Sequence, residues 1–210
     1  MTDRGARDAS GDDDRAGPGF LAGGGQMGAR MRAHDWTGTP LGLAEAWPQS
    51  LKSAVSIMLN SRFPIAIYWG DALALVYNDA WAPILGEKHP WALGRAGREV
   101  WPEIWDTIGP LYAQVMSSGE GVWQEDELLP MHRHGYLEEC YYNFTFSPIQ
   151  GEDGRVAGIF NAVVETTERV LSERRLRTLS RMGERADAAL SIDAACRWIR
   201  PRTGFSSTPA

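Results

Sequence analysis

The chain has 210 residues, 43% of them hydrophobic and 23% charged, with 27 acidic against 21 basic side chains and a net charge of -6. That leaves room for one domain of ordinary size plus tails, not for a multidomain enzyme, and the acidic balance offers no global positive field to draw in nucleic acid or an anionic membrane surface. Two distant cysteines, Cys140 and Cys196, lie outside any CxxC pattern; they exclude a disulfide framework and a thiolate zinc site and fit a reducing, cytoplasmic setting.

Residues 1–26 hold Gly, Asp, Arg and Ala with almost nothing to bury and are expected to form a disordered leader. Asp12, Asp13 and Asp14 stand where an export signal needs basic and then apolar residues. Residues 27–62 form the lead-in to the core: a turn-rich stretch from His34 to Gly42, then Trp47-Pro48-Gln49-Ser50, which opens an amphipathic helix. Pro48 suits its first position, and Leu51, Val55, Met58 and Leu59 recur at helical spacing, with Ala54 and Ile57 broadening the stripe as far as Asn60.

Residues 64–70 and 72–78 are short β-branched and aromatic runs separated by Gly70-Asp71, a hairpin signal. The apolar stretch containing them, Phe63 to Leu85, is broken by Asp71, Asn78 and Asp79, so it cannot span a bilayer, which takes roughly 20 apolar residues. Asn78 is placed to cap a helical turn running to Leu85, residues 87–97 read as loop, and a longer helix is expected from Trp101 to Ser118, with Ile104, Ile108, Leu111, Tyr112 and Val115 on one face. Three strand runs follow: 122–129, 137–149 and 156–164. In the middle run Cys140, Tyr142, Phe144 and Phe146 share a face opposite Tyr141, Asn143, Thr145 and Ser147. The turn at residues 150–155 joins it to the last run, apolar on both faces apart from Asn161. The order is mixed α+β, neither a βαβ repeat nor an all-β meander.

This order, with Tyr77-Asn78-Asp79-Ala80 closing the second strand and Glu165-Thr166-Thr167-Glu168-Arg169 closing the last, resembles the PAS sensor domain. Residues 39–64 (TPLGLAEAWPQSLKSAVSIMLNSRFP), 77–95 (YNDAWAPILGEKHPWALGR), 99–112 (EVWPEIWDTIGPLY) and 163–179 (VVETTERVLSERRLRTL) are similar to the N-terminal PAS region of bacterial sensor histidine kinases, and the likeness runs from about Trp36 to Ala195. It implies a PAS-like fold, a five-stranded antiparallel sheet with flanking helices, over residues 63–168. An outgoing signalling helix then spans 169–190, and residues 191–210 form a truncated or aberrant tail that begins like a GAF domain and is broken by Pro201.

The function the resemblance implies is a non-catalytic sensory or interaction module of bacterial two-component signalling. The alternatives are a ligand-free dimerisation scaffold or the remnant of a truncated kinase. The four histidines, His34, His89, His132 and His134, all lie outside the outgoing helix, so no phosphoacceptor of the kinase type stands there and the chain is not read as an enzyme.

Tyr77, Trp101, Trp105, Tyr112, Trp123, Tyr142 and Phe144, with Asn143 or Asn161 as polar handles, are candidates to line a cavity for an unidentified small molecule. A filled core explains the same aromatic pattern, and periodicity does not separate the two. No haem or flavin-adduct signature is present: the long helix carries no histidine, and residues 78–81 carry no cysteine. His132 and His134 near Glu125, Asp126 and Glu127 suggest a metal site only until Pro130 and Gly135 are weighed, since an exposed hairpin loop explains the pair equally well; no metal is expected. Glu165, Thr167, Glu168 and Arg169 are the expected route of signal transmission. Leu176, Leu179, Ala186 and Leu190 form a short apolar seam, interrupted by Gly183, that predicts a weak homodimer, with other signalling proteins as further partners and neither nucleic acid nor membrane among them.

Overall fold

A computed structural model describes residues 18–199 of the chain, with side-chain surroundings as far as Ala188. The packed chain starts earlier than Met27. A 3-10 turn, Gly19–Leu21, buries Leu21, and a helix, α1 (Gly25–Ala33), buries Met27 and Met31. The leader expected over residues 1–26 therefore ends no later than Pro18, and its first seventeen residues lie outside the described ones. The short helix escapes a periodicity search because its apolar face is only two methionines, four residues apart. The chain supplies its N-terminal cap from a distance: the Asp79 carboxylate accepts the backbone N–H groups of Gln26, at 2.9 Å, and Met27, at 2.7 Å. Gly25, at φ +57°, has that carboxylate directly over it, and a Cβ there would collide with Asp79 Oδ2.

Helix α2 (Gln49–Asn60) is the expected amphipathic helix. It begins one residue after Pro48 and buries Leu51, Val55, Met58 and Leu59. Ile57 does not broaden the stripe; it is exposed on the far side. Strands β1 (Ile65–Trp69) and β2 (Ala74–Tyr77) then form the predicted hairpin. Helices α3 (Ala82–Leu85), α4 (Gly97–Val100) and α5 (Trp105–Ser118) follow, the last starting four residues later than the sequence suggests. The chain returns through β3 (Val122–Leu128), a small hairpin of β4 (Met131–His132) and β5 (Leu137–Glu138), and the long pair β6 (Tyr141–Gln150) and β7 (Val156–Glu165). The run expected as one strand over 137–149 is thus two, parted at Glu139-Cys140.

The sheet is five-stranded and antiparallel, in the order β2-β1-β7-β6-β3. Ala66, Asn161 and Phe146 lie in one cross-strand row, and Tyr68 and Ile159 in the next. That face meets α5, whose Tyr112 ring packs against Tyr68 and Phe146 with centroids 4.8 and 4.5 Å apart. The alternate residues Ile65, Ile67 and Val76 are equally buried, and the helix that meets β1 and β2 from their side is α2. Asn78 knots these parts together. Its Oδ1 accepts from Ile65 N and Trp81 N, and its Nδ2 donates to the carbonyls of Met58, Ser61 and Phe63.

The chain divides into two units after Thr167. All but the first residue of α6 (Thr167–Ile199) belongs to the second, and the helix runs nine residues past the expected end of the outgoing helix at 190. Residues 200–210 of the expected tail lie outside the described residues.

Candidate functional site

The register that aligns Asn161 with Phe146 leaves a space between the sheet and α5. It is a cavity of about 40 Å³ walled by Tyr68, Asn161, Val163, Tyr142, Phe144 and Phe146 from the strands. Trp81, Ile84, Trp101, Ile104, Ile108 and Tyr112 close it from the helical side, Leu129 from the β3–β4 connection and Met131 from the start of β4. The Tyr68 hydroxyl accepts the Trp101 Nε1–H at 3.0 Å, and the Tyr68 ring packs on that of Tyr112 with centroids 4.8 Å apart. Burial pushes the Tyr68 phenol up to about 12 and raises Tyr112 well above the usual phenol range, with the neighbouring Tyr68 adding to the effect. Both hydroxyls are therefore neutral donors and acceptors, not anions.

Of the nine aromatic and amide residues singled out by sequence, five meet at this cavity: Trp101, Tyr112, Tyr142, Phe144 and Asn161. The other four lie elsewhere. Tyr77 is on the same sheet face but at the edge strand, where it packs on Trp81 and its hydroxyl meets His89 Nδ1 at 2.9 Å. Trp105 stands at the start of α5 against Tyr112, half-buried. Trp123 pairs with Thr145 and so points to the opposite face, 61% exposed. Asn143 also faces that way, and its Oδ1 accepts from Asp126 N at 2.8 Å, holding the bulge of β3 where Asp126 takes φ +50°. Tyr68 and Phe146, outside that set, are on the cavity face by strand alternation, whereas Trp81 comes from the turn before α3 and Met131 opens β4, a strand of two residues that is too short to show a period.

One wall residue carries a charged partner. Arg133, at the tip of the β4–β5 hairpin, donates to the Tyr142 hydroxyl at 3.3 Å and makes a two-pronged pair with Glu165, Nη1 to Oε2 at 2.9 Å and Nη2 to Oε1 at 3.1 Å. It also reaches Glu138 at 2.9 Å. Burial acts to lower the Arg133 pKa, yet the Glu165 carboxylate more than offsets it, so the net shift is upward. The hairpin is fixed from behind by Gly86, where a Cβ would strike the Arg133 carbonyl, and by Glu87 N, which donates to that carbonyl at 2.8 Å. Thr167 Oγ1 donates to Glu165 and accepts from Tyr141 N, while Thr166 Oγ1 donates to Asp126. Arg133 stands between the two histidines that the sequence singles out, in a polar tip with no period to mark it.

His132 and His134 do not form a metal site with Glu125, Asp126 and Glu127. His134 instead pairs with Glu138, and His132 N donates to Glu103. No group of three or more His, Cys, Asp or Glu side chains gathers around one point among the described residues. On α6, Arg169 pairs with Glu173, and Leu176, Leu179 and Ala186 are exposed; the side chain of Leu190 lies outside the described residues. None of the described helices is long and apolar enough to cross a membrane.

No curated protein matches the chain in sequence. Among solved structures, similar ones include an RNA-binding light-oxygen-voltage receptor (20% identity, 69% of this chain and 41% of that one, TM-score 0.46). A sensory box sensor histidine kinase from Vibrio cholerae is 20% identical over 56% of this chain and 90% of that one, with a TM-score of 0.41. The PAS domain of Bordetella pertussis BvgS is 18% identical over 60% and 93%, at 0.43. The present chain thus spans less than half the length of the first of these. The sequence profile of the PAS fold matches residues 60–171, more than half of the chain, and the chain belongs to that family.

Proposed function

We propose that the chain is a non-catalytic sensory module of two-component signalling, in which occupancy of the cavity is passed to α6 through the end of β7. The observation that carries this reading is the double reach of Arg133: one guanidinium touches the cavity-wall hydroxyl of Tyr142 and grips Glu165, two residues before α6 begins at Thr167. A molecule that moves Tyr142 shifts the partner of Glu165, and the strand end and helix start are hydrogen-bonded as one unit through Thr167. Glu168 and Arg169 then belong to the first turn of the helix that carries the change. Self-association is weak and runs along Leu176, Leu179, Ala186 and Leu190.

Hydrogen exchange on the full chain tests the route. Arg133→Met is expected to speed exchange of the amides of residues 165–171 by about tenfold, with β1 and β2 unchanged; unchanged exchange at that junction overturns it. A ligand-free scaffold is the second reading, favoured by the small volume of the cavity. Native mass spectrometry of the purified protein separates the two: a stoichiometric bound molecule supports the sensor, and reproducible absence of any supports the scaffold.

A further inference from the structure

Tryptophan and tyrosine rings form an unbroken file through the core, and only its first member is half-buried. That member, Trp105, meets Tyr112 with centroids 5.9 Å apart, Tyr112 packs on Tyr68, and the Tyr68 hydroxyl is bonded to the Trp101 indole. Trp101 meets Trp81 at 5.9 Å, Trp81 meets Tyr77 at 5.5 Å, and the file ends where the Tyr77 hydroxyl is bonded to His89 Nδ1. Indoles and phenols are the aromatic side chains that lose a single electron most readily. We propose that Tyr77 is a redox-active tyrosine: a small radical oxidant at Trp105 draws an electron along the file, and the vacancy comes to rest as a tyrosyl radical at Tyr77. In the net step the oxidant, an uncharged inorganic radical such as azidyl, gains the electron and leaves as its anion. The Tyr77 O–H bond breaks, its proton forms the Nδ1–H bond of His89, and the pair ends as a neutral tyrosyl radical beside an imidazolium.

The resting place is decided by the proton. A phenol that has lost an electron is a strong acid, so its oxidation is easiest where a base stands within hydrogen-bonding reach. The Tyr77 hydroxyl is buried with His89 Nδ1 at 2.9 Å, and burial keeps the phenol protonated until the electron leaves. Burial, reinforced by Arg30 and opposed by Asp79, lowers the His89 pKa, so the imidazole is neutral and Nδ1 is open to the proton. The other members of the file offer no such exit. Among the described residues no imidazole or carboxylate is hydrogen-bonded to Tyr68 or Tyr112. Trp81 Nε1 is buried without an acceptor, so a radical cation formed on that indole keeps its proton and its charge. The Lys88 ammonium over the Trp101 face repels a positive charge on that ring. These rings pass the vacancy on, and Tyr77 holds it whether or not the cavity is occupied.

Pulse radiolysis of the full chain in azide solution is the test, with azidyl as the oxidant and the tryptophanyl and tyrosyl absorbances as readouts. The tryptophanyl signal is expected to decay into a tyrosyl signal at a rate independent of protein concentration. Tyr77→Phe should lose most of that tyrosyl yield, and His89→Gln should slow its formation about a hundredfold, since an amide orients the hydroxyl without taking its proton. Trp81→Phe leaves the Tyr77–His89 bond in place and should block the conversion, which keeps the test decisive should Tyr77→Phe not fold. In the parent the conversion should also slow as pH falls below 6.5 and His89 binds a proton, against burial and Arg30 on α1 and with the help of Asp79 in the turn after β2. The His89→Gln protein should lack that dependence, a difference that a merely structural role of the pair does not produce. Tyrosyl formation that scales with protein concentration, full yield in Tyr77→Phe, an unchanged rate in Trp81→Phe, or tryptophanyl decay with no tyrosyl product overturns the inference.

Discussion

The Lys88 ammonium lies 4.3 Å from the centre of the Trp101 indole, on a ring that walls the cavity. It is held there by Glu103 and by the Val100 carbonyl, with only 17% of the lysine side chain and 11% of the glutamate side chain exposed. Burial lowers the Lys88 pKa, opposed by the Glu103 carboxylate. The same carboxylate oxygen accepts His132 N, so one ion pair ties the segment after α3 to β4.

Glu103→Gln therefore strands a cation in a desolvated place and is expected to cost about 3 kcal/mol. Lys88→Met in that background should recover most of the loss, because an apolar chain of similar length still covers the Trp101 ring. Urea denaturation of the two single variants and the double variant checks this; additive losses would mean that the pair is not coupled.

Asn78→Asp is expected to destabilise by about 3 kcal/mol at neutral pH, since it exchanges three donated hydrogen bonds for a carboxylate facing the Met58, Ser61 and Phe63 carbonyls. Burial beside those carbonyls raises the carboxyl pKa above its unfolded value, so the folded state binds the extra proton. The deficit relative to the parent should shrink as pH falls toward 5. Denaturation midpoints of the two proteins across that range give the answer, and a deficit independent of pH contradicts it.

Phe144→Ala is expected to cost about 3–5 kcal/mol, the loss of a buried ring packed on Phe146 with centroids 4.7 Å apart. Trp123→Ala, on the opposite face, should change stability by no more than about 0.5 kcal/mol. Equal effects by thermal or chemical denaturation would dissolve the distinction between the two faces. Both residues were sequence candidates for the cavity, and what separates them is register. Alternation within β6 is legible because Tyr142, Phe144 and Phe146 repeat every second residue. The face taken by Trp123 depends on its pairing with Thr145, a cross-strand fact no local pattern contains.

The same limit explains the rest. The hairpin of β1 and β2, helix α2 and the β6–β7 turn could be read from local periods and turn residues. Asp79 capping α1 from some fifty residues away, and Arg133 reaching from a hairpin tip to Glu165, are long-range pairings between short polar segments that carry no period.

Below neutrality the protein should lose stability through His34 and His89. Burial lowers both pKa values, with Arg30 reinforcing and Asp79 opposing the shift at His89, and Asp35 opposing it at His34. Each is neutral in the folded chain at a pH where its unfolded counterpart, titrating near 6.5, is charged. The unfolded state therefore binds more protons, and stability falls as pH drops through 6.5 toward the folded values. The lowered carboxylates Asp35, Glu138, Glu152 and Asp153 contribute stability above their unfolded values of 3.8 or 4.5 and so act in a more acidic window. His89→Gln should flatten the decline between about pH 7.5 and 5.5; a urea-midpoint profile identical to the parent's would remove His89 from the account.

Leu179→Glu should drive a weak, concentration-dependent dimer to monomer, because a charge placed in an apolar seam has to be desolvated on pairing. Sedimentation across a wide concentration range is the measurement. A monomer at every concentration, or a tight dimer indifferent to the substitution, would show that α6 is not the association surface.

The strand that occupies the middle of the sheet is the last to be synthesised. Ile65 pairs with Ala162, about a hundred residues later, and β1 has no neighbour on its inner edge until β7 arrives. On the ribosome, then, the β1–β2 hairpin with its helices and the later β3–β6 pair are two unjoined pieces, each with an open edge, until β7 is made. Closure of so non-local a sheet is a late and comparatively slow event. A message cut anywhere before the codon for Val156 leaves both pieces without their common partner, and such a product is a substrate for chaperones and proteases rather than a smaller version of the same domain.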